Sequence, residues 1–277
     1  MPELVAPDGT RLAYRVLGEG PVLVCHPGGP GRPADYLGDL GGLSACRRLV
    51  LLDPRGTGRS GRPAEPDGYR FTRLAADLEV LRHHLGLERM DLLGHSAGAN
   101  VALAYAAAHP ERTGRLILLT PSARLTGAPD EMAAVAARFH TGEPWHAEAV
   151  TALAALGAGD TDPALESKIE PLLYGRWDPS AAEHAARSAA TVAPAARDGF
   201  DEPDFDRAAL VAALGRVTAR AAVLAGDRDP VTGTVAPRVI ASWLPGARLD
   251  WLPGCGHFPW LDDPVRTFTA LDAALAD

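Results

Sequence analysis

The chain has 277 residues, 47% hydrophobic and 22% charged, which is enough apolar material for one large α/β domain with room for an insertion. Its formal net charge of −8 excludes a nucleic-acid binder working through a basic face, and no apolar run reaches the length needed to cross a bilayer. Met1-Pro2-Glu3-Leu4 lacks a secretion-signal pattern, and the three cysteines, Cys25, Cys46 and Cys255, show no Cys-x-x-Cys spacing, so a reduced, cytoplasmic setting with each cysteine as a small buried hydrophobe is expected.

Val5 to Val16 reads as a hairpin turning at Asp8-Gly9, with alternation along its second strand. Val22-Leu23-Val24-Cys25 is a continuous apolar run, the mark of a strand buried on both faces. It empties into His26-Pro27-Gly28-Gly29-Pro30-Gly31, a tight loop at the edge of the sheet where open parallel sheets bind ligands. Leu49–Leu52 is a second such strand. The Asp53–Ser60 turn after it reads as structural, held by Asp53 and Arg55, and its Gly-x-Gly opens no apolar helix, so it is no dinucleotide fingerprint. Leu74, Leu78, Leu81 and Leu85 fall at helical spacing before Gly86, predicting a helix over 71–85 with His83 and His84 in solvent.

Leu92-Leu93-Gly94-His95-Ser96-Ala97-Gly98 follows, with an Ala-rich run directly behind it. Strand, sharp turn and helix with a serine at the apex form the G-x-S-x-G nucleophile elbow. Leu116–Leu119 is the next strand. From 121 to 214 strand-like runs cease, and Ala-rich segments at 130–140, 145–156, 163–174 and 179–193 predict a helical insertion lying over the sheet edge as a lid. The expected division is therefore a core over 1–120 and 215–277, with a cap over 121–214. Trp145, Tyr174, Trp177 and Phe200 are its candidate pocket residues, with His95 on the core side. Ala221–Ala225 resumes the sheet, a helix is expected over 234–244, Arg248–Leu252 is a last strand, and a closing helix runs from Asp263 toward Asp277.

A serine hydroxyl needs a base, and the base needs an orienting carboxylate. Among nine histidines only His257 sits in a Gly-rich loop after the terminal strand, so it is the expected base, while His26 and His95 read as structural or pocket-lining. Asp229, with Pro230 behind it, is the preferred acid, and Asp227 the turn residue beside it. An oxyanion would be held by the Ala97 N–H together with that of Gly29, or alternatively Gly28.

The order Ser…Asp…His, Gly28-Gly29-Pro30-Gly31, the Asp-x-Arg-Gly-x-Gly-x-Ser turn at Asp53–Ser60 and Asp77-Leu78-Glu79-x-Leu81-Arg82 together resemble the α/β-hydrolase fold superfamily, and within it the proline iminopeptidase (prolyl aminopeptidase) branch. The resemblance covers nearly the whole chain. It implies a mostly parallel eight-stranded sheet flanked by helices with a helical cap, and a Ser-Asp-His hydrolase acting on a small molecule without metal or cofactor. Two positions depart from the branch: Pro27 stands where its histidine is usual, and Ala97 where a tryptophan usually follows the nucleophile. Family iminopeptidases hold the substrate amine with cap glutamates, for which Glu143, Glu148, Glu166, Glu170 and Glu183 are available, although a solvated helix face accounts for them equally well. The expected function is cleavage of a small carboxylic ester or amide through an acyl-enzyme, as esterase, lactonase or iminopeptidase-like enzyme. A lyase or cyclase using the same Ser–His pair, or a non-catalytic ligand-binding hydrolase fold, is the alternative. Epoxide hydrolase and dehalogenase chemistry needs Asp where Ser96 stands.

Overall fold

The apolar runs of the sequence become the strands of one mixed sheet in the computed structural model, which describes residues 2–276. The strands are β1 (Glu3–Val5), β2 (Arg11–Leu17), β3 (Val22–His26), β4 (Arg48–Leu52), β5 (Met90–His95), β6 (Thr113–Leu119), β7 (Arg220–Gly226) and β8 (Arg248–Leu252), in the order β1-β2-β4-β3-β5-β6-β7-β8. β1 and β2 form the hairpin and β2 joins β4 antiparallel; every later pairing is parallel. Strand order reverses at β3, whose neighbours are β4 and β5. Open sheets bind ligands at such a switch point, which here means the carboxyl ends of β3 and β5, where His26 and His95 stand.

Continuous apolar strands serve two cores because side chains alternate faces. Val24, Val50, Leu92, Leu116, Leu118 and Val223 pack with α1 (Phe71–His84) and α2 (Gly98–Ala108) on one face. Leu23, Cys25, Leu51, Leu93, Ile117 and Leu224 pack on the other, against Leu271 and Leu275 near the C-terminus. Cys25 and Cys255 are buried as expected, but Cys46 is exposed: Leu43 takes the buried position of that short turn.

Between β6 and β7 the described chain forms helices without strands: α3 (Met132–Ala136), α4 (His146–Gly157), α5 (Pro163–Ile169), α6 (Pro179–Ala190), α7 (Pro194–Asp198) and α8 (Arg207–Leu214). Proline punctuates it. Pro163, Pro179 and Pro194 each open a helix, where a missing N–H costs nothing, and the Asp162 and Asp178 side chains accept from Ala164 and Ala181 as N-caps. The expected 163–174 helix stops at Ile169 and tightens into a 3₁₀ turn over Glu170–Leu173, while the expected 179–193 helix ends at Ala190 ahead of Pro194. The expected 130–140 helix contracts to α3, with His140 left-handed at φ 65°. After β7 come α9 (Ala236–Trp243), whose entry is held by the Glu131 carboxylate through the Thr234 and Val235 N–H groups, then α10 (Pro259–Asp262) and α11 (Pro264–Leu275). Asp277, toward which the closing helix was expected to run, lies outside the described residues.

The Asp53–Ser60 turn is held by more than local bonds. Asp53 accepts from the Ala34 and Arg59 N–H groups, and buried Arg55 grips Asp77 on α1 through two 2.6 Å bonds and also pairs with Asp8. His83 and His84 are exposed, and His84 reaches the Tyr14 hydroxyl at 3.2 Å.

Candidate active site

Two glycines make the elbow possible. A Cβ on Gly94 would fall 2.5 Å from the Gly98 carbonyl oxygen, and one on Gly98 would fall 2.4 Å from that of His26. Neither position accepts a side chain, and this is the steric content of G-x-S-x-G. Between them Ser96 adopts φ 53°, a left-handed conformation that costs a non-glycine residue about 1–3 kcal/mol and persists only where its surroundings hold it. Here its N–H donates to Leu119 and its carbonyl accepts from Ala99 and Ser122.

Ser96 Oγ lies 2.9 Å from His257 Nε2, and His257 Nδ1 lies 2.8 Å from Asp229 Oδ2. Asp229 is 1% exposed, and its Oδ1 accepts from the Val231 and Thr232 N–H groups, so the carboxylate is fixed from both oxygens. Asp227 instead accepts from Gly254 N–H across to the histidine loop. That loop and the acid's loop touch closely: a Cβ on Gly226 would fall 2.3 Å from Cys255 O, and one on Gly256 2.4 Å from Leu173 O. The His257 N–H donates to the same Leu173 carbonyl, so the helical insertion pins the histidine loop from above.

Hydrogen-bond logic assigns the second histidine. His95 Nε2 lies 3.0 Å from the His257 carbonyl oxygen, which can only accept, so Nε2 carries the proton. His95 Nδ1 must then accept from the Tyr36 hydroxyl at 2.6 Å, and the Tyr36 oxygen in turn accepts from Gly28 N–H at 2.7 Å. Burial, reinforced by the neighbouring His257, holds the His95 imidazole well below the usual histidine range and therefore neutral. Thr120, at φ 40° just past β6, donates its hydroxyl to the same His257 carbonyl. His26 turns away: its Nδ1–H donates to Pro27 O, and burial pushes its pKa down to about 4.

This network corrects one expectation. The Gly28 N–H is committed to Tyr36 and is not available to an oxyanion, whereas the N–H groups of Gly29 and Ala97 meet no protein acceptor among the described residues. Gly28 serves the site sterically instead. A Cβ there would stand 2.6 Å from Ser96 Cβ and 3.1 Å from Ala97 N, so its bareness lets the loop lie against the elbow.

The aromatic candidates of the insertion are placed mainly as packing. Tyr174 is fully buried, donates to His184 Nδ1 at 2.8 Å and stacks on Phe258, with Trp177 edge-on against it. Trp145 packs on His140 and in a small cluster with Ala136, Ala149 and Leu172. Phe200 sits against Phe71. Of the five glutamates, Glu143, Glu148, Glu166 and Glu183 are exposed, with Glu148 paired to Lys168 and Glu183 to Arg187. Glu170 differs. It is half-buried without a hydrogen bond or ion pair among the described residues, and burial raises its carboxyl above the usual range against the opposing charge of Arg32. Tyr36, Thr120 and Arg32 carry no motif in the sequence; only the proximity of Tyr36 and Arg32 to the glycine loop marks them. Among the described residues no group of three or more His, Cys, Asp or Glu side chains is arranged to hold a metal ion.

A neutral imidazole whose Nδ1–H is held by a carboxylate, and whose Nε2 lone pair faces a hydroxyl, can take that hydroxyl's proton. Comparison with known proteins identifies the fold family. A family model described as alpha/beta hydrolase fold matches residues 21–264. A proline iminopeptidase of Xylella fastidiosa is 39% identical over 118 residues, 42% of this chain and 37% of that enzyme, so the matched part spans well under half of the relative. A 2-hydroxymuconate semialdehyde hydrolase of Pseudomonas putida is 27% identical over 97% of this chain and 92% of its own length. The crystal structure of a hydrolase from Pseudomonas aeruginosa superposes with TM-score 0.71 and 29% identity, covering 100% of this chain and 98% of that one.

Proposed function

The chain belongs to the α/β-hydrolase fold family, and from that premise we propose that it is a serine hydrolase cleaving a small carboxylic ester or amide through an acyl-enzyme. The observation that carries the reading is the unbroken line Asp229–His257–Ser96, at 2.8 and 2.9 Å, beside the two free N–H groups of Gly29 and Ala97. Ser96 Oγ attacks the substrate carbonyl while His257 Nε2 takes its proton. Asp229 keeps Nδ1 protonated and offsets the imidazolium charge. The Gly29 and Ala97 N–H groups receive the oxyanion, each such donor being worth about 3 kcal/mol in the transition state. His257 then returns the proton to the leaving oxygen or nitrogen, and water repeats the sequence to release the acid. The helices of 121–214 act as the cap, with Leu173 holding the histidine loop in register.

Within the class, an ester or lactone competes with an amide of the aminopeptidase type. An aminopeptidase-like reading is favoured by one observation, the half-buried, unpaired Glu170, which could face a substrate amine. The test is labelling by a fluorophosphonate serine probe. We expect labelling of the wild type, none of Ser96→Ala and slow labelling of His257→Ala. A folded wild type that stays unlabelled refutes the acyl-enzyme. Turnover of p-nitrophenyl esters against proline p-nitroanilide then separates esterase from iminopeptidase.

A further inference from the structure

Arg32 lies three residues beyond Gly29 and is used by none of the chemistry above. A Cβ on Gly29 would meet both the Arg32 nitrogen and its Cγ at 3.0 Å, so the arginine stem rises directly beside the free N–H assigned to the oxyanion. Its guanidinium carbon stands 5.9 Å from the Tyr36 ring centroid, and Tyr36 is the residue that ties the Gly28 loop to His95. The side chain is half-buried, and its Nε is fully enclosed without a hydrogen-bond partner. Among the described residues the guanidinium makes no ion pair and no hydrogen bond.

A half-buried guanidinium without an acceptor is costly, because its hydration is reduced and the Tyr36 ring face offsets only part of that loss. Arg55, which is buried more deeply, shows the alternative: it is gripped by Asp77 and Asp8. Among the described residues Glu170 feels the Arg32 charge yet makes no contact with it within 4.0 Å, and Asp35, which bears on the same Tyr36 and His184 side chains, makes none with it either. The Arg32 charge also acts on His95, on Tyr174 and on His184. The planar fork of an arginine matches a carboxylate in two parallel bonds, so a guanidinium left without an acceptor beside the glycine loop is suited to a carboxylate ligand.

We propose that Arg32 is a substrate-anchoring residue, and that the ester or amide cleaved at Ser96 carries an ionised carboxylate which this guanidinium binds. The proposal rests on the acyl-enzyme reading above and adds the substrate class to it. No bond changes at Arg32; it acts through binding, so its removal is read in KM for charged substrates.

Two matched pairs test it: mono-p-nitrophenyl glutarate against p-nitrophenyl valerate, with the acid in the acyl part, and 4-acetoxybenzoate against phenyl acetate, with the acid in the leaving part. In at least one pair the wild type favours the charged member. There Arg32→Gln lowers kcat/KM for that member about tenfold or more beyond its effect on the neutral one, mainly through KM, as expected for a lost charge-assisted bond. Arg32→Lys restores part of the preference, and Glu170→Gln leaves it in place. Equal losses for both members of both pairs overturn the proposal. Where none of these esters turns over, glutarate must protect Ser96 from the fluorophosphonate probe in the wild type and not in Arg32→Gln; absence of protection overturns it equally. Fluorophosphonate labelling itself does not need Arg32. Wild type that labels but shows no carboxylate preference sinks this inference alone, whereas wild type that does not label sinks the acyl-enzyme reading with it.

Discussion

Tyr36→Phe removes one oxygen from the centre of the site and leaves the rest of the side chain. The ring keeps its neighbours, His95 at 5.5 Å, His184 at 6.0 Å and Phe258 at 6.2 Å between centroids, so packing is conserved. Lost are the acceptor for Gly28 N–H and the donor to His95 Nδ1, both in positions without water access. An unsatisfied buried group costs about 1–3 kcal/mol, so two of them, partly relaxed, cost about 2–4 kcal/mol. For a chain of this size that corresponds to a fall in Tm of about 3–7 °C. The second consequence is kinetic. Gly28 precedes the free Gly29 N–H, and His95 holds the His257 carbonyl, so the variant loosens the oxyanion loop and the base together. A fall in kcat is expected, bounded by the ~10²–10³-fold loss of one oxyanion donor, with KM for a neutral ester little changed. Thermal unfolding by circular dichroism and kcat on a p-nitrophenyl ester at a temperature well below both midpoints read the two effects separately. A Tm within a degree of wild type, or a lowered Tm with unaltered kcat, would refute the positioning role.

Asp229→Asn leaves the Val231 and Thr232 contacts available but stabilises the wrong His257 tautomer, so kcat should fall about 10⁴-fold with little loss of stability; steady-state kinetics beside a melting curve check both. Gly28→Ala drives a methyl to 2.6 Å from Ser96 Cβ and pushes the loop off the elbow, so probe labelling should slow at least as much as in Tyr36→Phe; equal labelling of Gly28→Ala and wild type would contradict the fit. Acid should weaken the fold through its buried neutral histidines. His26 is held neutral, with its pKa lowered from 6.5 to about 4, so between those values the unfolded chain binds a proton that the folded chain refuses. The stability is fully present above pH 6.5 and falls toward pH 4, by about 3 kcal/mol from this residue, and His95 adds a loss of the same sign. Urea midpoints at pH 7.5, 6 and 4.5 measure it, and a flat profile would show that these histidines are not buried neutral.

Local patterns in this chain carry their own structural meaning, and those were the readable parts. Continuous apolar runs bounded by glycine can only be strands covered on both faces, so the sheet and its sites of loop insertion follow from composition along the chain. Ser96, Asp229 and His257 are legible because each sits in a short loop after such a strand, and in a parallel sheet all those loops open at the same edge. The limits are equally physical. The helices of 121–214 depend on where prolines fall relative to caps, so Pro171 and Pro194 cut segments that periodicity alone would extend. No motif distinguishes Gly28 from Gly29; only the position of the Tyr36 hydroxyl, eight residues away in the chain, decides which N–H is spent. Glu170 and Arg32 look like ordinary surface charges until folding buries them without partners. Sequence by itself determined the fold and the chain order of the proposed reacting groups, because both are written in residues that are neighbours along the chain. Hydrogen-bond partners, burial and the electrostatics of the site arise between residues distant in sequence, and only the tertiary structure decided them.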